Sequence, residues 1–101
     1  MLTFERVLEG FGDYLAVDKS CEVLRCSRGC MVLNWENCLQ NDWVTAQLCP
    51  TPEDLRDILR FSYVEYQSLR LTDGYKRDLT ELEVQNIENM GLAIAARCNE
   101  I

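Results

Sequence analysis

The chain has 101 residues, 48% hydrophobic and 27% charged, with ten Lys/Arg against 17 Asp/Glu and a net charge of −7. That is the size and apolar content of one domain, residues 1–101, with its own core, which excludes an intrinsically disordered chain. The carboxylate excess, without a Lys/Arg cluster, argues against direct nucleic-acid binding and points to a basic protein partner or simply to a soluble surface.

Residues 3–17 are predicted to form one amphipathic helix. Thr3 caps it, Glu5 suits its first turn, and Phe4, Val7, Leu8, Phe11 and Leu15 recur on one face. Gly10 and Gly12 each cost about 1 kcal/mol relative to Ala in a helix interior. They either admit another backbone or weaken the second half of the helix. Asp18, Lys19 and Ser20 form a turn.

Cys21–Cys26 reads as a first strand, and Ser27-Arg28-Gly29 as a three-residue hairpin loop with a left-handed glycine last. That loop sets Cys26 opposite Cys30, Leu24 opposite Val32 and Val23 opposite Leu33. The second strand runs to about Glu36, and a loop through Asn37, Gln40, Asn41 and Asp42 leads to a third strand, Trp43–Cys49. With Trp35 opposite Val44, one face carries Met31, Leu33, Trp35, Leu48, Ala46 and Val44, joined by Cys21 and Val23. This is the apolar layer expected to meet the helices. The other face then shows Leu24, Cys26, Cys30, Val32, Trp43 and Cys49 among polar residues. Either the third helix covers it, or it is a contact surface, with Leu24, Val32 and Trp43 as anchors. Two free sheet edges also invite pairing with a second copy or a partner.

Thr51-Pro52-Glu53-Asp54 is a strong helix start, and the apolar pattern continues to Leu71 through Leu55, Ile58, Leu59, Ser62, Tyr66 and Leu69. Phe61, Tyr63 and Val64 broaden its surface, which makes it the central helix; Asp73-Gly74 ends it. Thr80-Glu81-Leu82-Glu83 matches a capping box for a last helix with Ile87, Met90, Gly91, Ile94, Ala95 and Cys98 inward. The expected architecture is α+β: an N-terminal helix, a three-stranded antiparallel meander, and two C-terminal helices on the sheet.

Six cysteines contain no C-x-x-C spacing, and the chain has no histidine. Mixed Cys/His zinc sites and thioredoxin-type motifs are excluded, so no metal or other cofactor is expected. The expected register lines up Cys26, Cys30 and Cys49. That row is open to three readings: a thiolate metal site lacking a nearby fourth ligand, since Cys38 lies at the far end of its hairpin; a Cys26–Cys30 redox disulfide; or coincident small residues. No Ser/His/Asp set, P-loop or dinucleotide fingerprint is present, so the chain is not expected to be an enzyme. The segment Thr3-Phe4-Glu5-Arg6 is neither the basic nor the apolar part of a signal peptide, and no run of about 18 apolar residues occurs. A cytoplasmic location is the expectation.

Thr3-Phe4-Glu5-Arg6-Val7-Leu8 with Asp13-Tyr14-Leu15, the Gly29–Trp35 strand, Asn41-Asp42-Trp43, the Thr51–Asp57 helix start and Asp78-Leu79-Thr80 resemble small proteins encoded on mobile genetic elements of gut Firmicutes. Some of those proteins are anti-CRISPR inhibitors, which are commonly small, acidic and without catalytic machinery. The resemblance implies a protein-binding inhibitor of a Cas9-type nuclease but carries over no site residue. On charge alone, Glu53, Asp54, Asp57, Glu81, Glu83 and Glu88 are the acids that would compete for a Lys/Arg groove. The alternatives are a dimeric accessory protein of a conjugative element, paired through its sheet, and a cysteine-based redox or metal sensor.

Overall fold

The computed structural model describes residues 1–38 and 41–100; the side chains of residues 37, 38 and 41–43 are outside that description. The chain is α+β, with helices α1 (Phe4–Gly10) and α2 (Gly12–Val17), strands β1 (Cys21–Cys26), β2 (Gly29–Cys38) and β3 (Asn41–Cys49), then α3 (Pro52–Leu71) and α4 (Glu81–Arg97). The strands form one antiparallel sheet in the order β1-β2-β3. The Cα extents are 40 × 36 × 18 Å. The short dimension accommodates one sheet and one layer of helices, since packed layers lie about 10 Å apart.

The N-terminal segment is two helices rather than the expected single one. Thr3 Oγ1 accepts from Arg6 N at 3.2 Å as expected, but the chain departs from helix at Phe11, between the two glycines. The Phe11 ring is fully buried with Val7. A Cβ on Gly10 would stand 2.5 Å from Cys98 Sγ, so this glycine admits the end of α4, whereas Gly12 faces open space. α2 closes where Asp18 accepts from the Tyr14 hydroxyl at 2.6 Å and from Ser20 N at 3.0 Å.

α3 and α4 begin as their sequences dictate. Thr51 Oγ1 accepts from Asp54 N at 3.1 Å, and the Thr80/Glu83 capping box is complete, with bonds of 2.9 and 3.2 Å. Thr72, Asp73 and Gly74 end α3, Gly74 donating to Leu69 O at 2.8 Å from φ +79°. α3 is central. Leu55, Leu59 and Tyr63 are buried, Gly91 lets α4 close on Arg60 and Val64, and Tyr14 meets Tyr63 and Tyr66 edge-on at 5.6 Å. On α4, Ile87, Gly91 and Ala95 are buried as expected, with Cys98 just past the helix, but Met90 is exposed because it lies outside the stripe facing α3.

The sheet corrects two expectations of register and length. β1 pairs with β2 one residue out from the expected alignment: Cys26 opposes Gly29, Arg25 opposes Cys30 and Val23 opposes Val32. The hairpin turns on Ser27 and Arg28 alone, and Gly29, at φ +129°, lies too close to the Cys49 carbonyl for any Cβ. β2 and β3 pair as expected, Trp35 opposite Val44, but they run on through Asn37, Cys38, Asn41 and Asp42, where a loop was anticipated.

Candidate protein-interaction surface

The helices cover the face of the sheet that was expected to be open. Cys30, Val32 and Cys49 are fully buried, Cys21 is nearly so, and all four belong to the core formed with Val7, Phe11, Leu55 and Leu59. The opposite face carries Leu24 from β1, Met31, Leu33 and Trp35 from β2, and Val44, Ala46 and Leu48 from β3. Trp35 is 44% exposed, Leu24 46%, Leu48 41% and Val44 39%. The most apolar face of the molecule therefore looks into water. Its charged member among the described residues, Glu22, accepts from Trp35 Nε1 at 3.2 Å.

The inversion has a physical cause. The helices bury Cys21, Cys30, Val32 and Cys49 of this face, with Val23 packed partly against them. The same face also carries half-buried Asn34 on β2 and exposed Thr45 and Gln47 on β3. With Phe61, Glu65 and Tyr66 of α3 they line an open cleft of about 440 Å³. Counting apolar residues per face rewards the uncovered side, because the covered side mixes core residues with these polar ones. A large exposed apolar patch is the informative exception on a folded surface.

Several site expectations change accordingly. Leu24 lies on the open face, but Val32 is fully buried under the helices rather than on a contact surface. The Trp43 side chain is outside the described residues. The thiol row is broken: Cys26 is exposed on the outer face, whereas Cys30 and Cys49 oppose each other on the inner one. A Cys26–Cys30 disulfide would have to pass through the sheet, so that pairing is ruled out. Burial pushes the Cys21, Cys30, Cys49 and Cys98 thiols up, which keeps them protonated and weakly nucleophilic. Among the described residues no group of three Cys, Asp or Glu is placed to hold a metal ion.

The six candidate acids are not one patch. α3 and α4 lie antiparallel, with Arg56 and Asp57 beside Ala95 and Asn99, and Arg70 and Leu71 beside Glu83 and Ile87. Glu53, Asp54 and Asp57 thus stand towards one end of the helix pair and Glu81 and Glu83 at the other, roughly 20–27 Å of helix apart, with exposed Glu88 further along α4. Glu83 is also engaged internally: hydrogen bonding from Arg77, at 2.8 and 2.9 Å, and from Thr80 N holds its carboxyl down to about 2. Asp57 pairs with Arg56 at 3.0 Å.

No protein-family model matches this chain, and neither the curated proteins nor the solved structures compared with it include a match. Among the described residues no helix is long and apolar enough to cross a membrane.

Proposed function

We propose that this protein is a non-enzymatic inhibitor that binds a partner protein through the open face of its sheet, and that the partner is a Cas9-type nuclease. The observation that supports the binding reading is the row of exposed Leu24, Trp35, Val44 and Leu48 with half-buried Met31 and Leu33 between them, all outside the buried core. Trp35 at its centre is the residue type that most often dominates interface energetics. The nuclease is the target class implied by the sequence resemblance, and the net charge of −7 suits it. A nuclease groove that holds nucleic acid is basic, so an acidic protein is steered towards it before the apolar face docks.

Inhibition of target cleavage by a purified Cas9-type nuclease tests both halves. The wild-type chain blocks cleavage, Trp35→Ala and Leu48→Glu relieve the block, and charge reversal of Glu53, Asp54 and Asp57 slows association at low salt. Full inhibition by the face variants would move the contact elsewhere; no inhibition by the wild type would remove the nuclease. A second reading, a dimeric accessory protein of a conjugative element, is favoured by the character of the β3 edge.

A further inference from the structure

One hydrogen bond settles which backbone groups of the β3 edge face outward. Trp35 N donates to Ser20 O at 2.7 Å, in register with the β1–β2 ladder. Hydrogen-bonded and non-hydrogen-bonded pairs alternate in antiparallel sheets, so Trp35, Leu33 and Met31 direct their backbone groups to β1. Asn34, Val32 and Cys30 then bond to Thr45, Gln47 and Cys49 of β3. The N–H and C=O groups of Val44, Ala46 and Leu48 are left pointing away from the sheet.

This edge lacks the features that usually stop strands from pairing. From Val44 to Leu48 there is no charge, proline or glycine, and all five residues are exposed. The other edge, β1, is shorter and carries Glu22 and Arg25, the latter tied to Glu5 of α1 at 2.8 Å.

We propose that β3 pairs with β3 of a second copy, antiparallel about a two-fold axis at Ala46, joining two three-stranded sheets into one of six strands. Ala46 then opposes its own counterpart, Val44 opposes Leu48 and Thr45 opposes Gln47. Every outward backbone group in the segment is paired, giving about six hydrogen bonds between the chains. Val44 meets Leu48 on the outer face, hydroxyl meets amide on the inner face, and no carboxylate meets another despite the charge of each chain. Neighbouring registers are worse. Centring on Thr45 sets Asp42 opposite Leu48, and centring on Gln47 sets Val44 opposite Pro50, which has no N–H to give, whereas centring on Ala46 sets Asp42 against Pro50 only beyond the paired Val44–Leu48 segment. The two outer faces become continuous, which goes beyond the inhibitor reading and does not depend on its target.

The test is the mass of the full-length chain by light scattering, in reductant and without any target. The wild type is expected at twice 11.7 kDa, falling towards 11.7 kDa on dilution. Ala46→Lys and Ala46→Glu are each expected to be monomeric, because like charges meet at the axis, and mixing them restores the dimer. Ala46→Pro, which removes an outward N–H and no hydrogen bond to β2, replaces either variant that fails to fold. Leu24→Glu, on the far strand, stays dimeric. A wild type that is monomeric throughout overturns the proposal and leaves the edge to a strand from another protein. Dimeric Ala46→Lys, or monomeric Leu24→Glu, overturns it in favour of a contact elsewhere.

Discussion

Trp35 donates its indole N–H to Glu22 across the β1–β2 pair at 3.2 Å, which ties a large exposed ring to the outer face and occupies one oxygen of the carboxylate beside it. A ring already oriented loses little side-chain freedom when a partner arrives. Trp35→Ala is expected to weaken target binding by about 2 kcal/mol or more while changing stability by no more than about 0.5 kcal/mol. Calorimetric titration and thermal melting of the same variant check both numbers.

The two faces of β1 and β2 differ sharply in what they tolerate. Val32→Asp places a charge in the core beside Cys30 and Leu59 and is expected to unfold the domain. Leu24→Asp, on the open face, is expected to leave the urea midpoint nearly unchanged. Equal losses from the two would mean that the outer face is covered in solution.

The glycines of the N-terminal segment should respond in opposite senses. Gly10→Ala pushes a methyl into Cys98 Sγ and is expected to destabilise the fold by about 1–3 kcal/mol. Gly12→Ala, in α2 and facing open space, is expected to stabilise it by about 0.4–1 kcal/mol. Adding Cys98→Ala to Gly10→Ala should recover part of the loss, which a double-mutant cycle on chemical denaturation measures.

Acid weakens the start of α4 through Glu83. Its folded-state pKa, about 2, lies below the ordinary 4.5, so its contribution is fully present above about pH 4.5 and is lost as the pH falls towards 2. Glu83→Gln is expected to flatten the stability profile across that window, and Thr80→Ala to cost about 1 kcal/mol at neutral pH. Denaturation midpoints measured from pH 2 to 7 resolve both effects.

Thiol accessibility separates the sheet faces chemically. Cys26 is expected to alkylate rapidly in the native protein, while Cys21, Cys30, Cys49 and Cys98 react only on unfolding. Peptide mapping after brief iodoacetamide treatment reads this directly. Rapid labelling of Cys30 would contradict the assignment of faces.

Local chemistry determined much of this protein before any packing was considered. The Thr51 and Thr80 caps and the end of α3 at Asp73-Gly74 follow from side chains within a few residues of one another, and the β2–β3 register follows from matching the apolar face of Trp35 with that of Val44. Caps and helical periodicity are short-range, so a sequence carries them openly. Tertiary structure decided the rest. A two-residue alternation defines two faces of a strand without saying which of them the helices take, and a single-residue change in the β1–β2 turn moves every β1 side chain across the sheet. The helices packed on the inner face, burying Cys21, Cys30, Val32 and Cys49. The more apolar surface, centred on Trp35, was thereby left open to water.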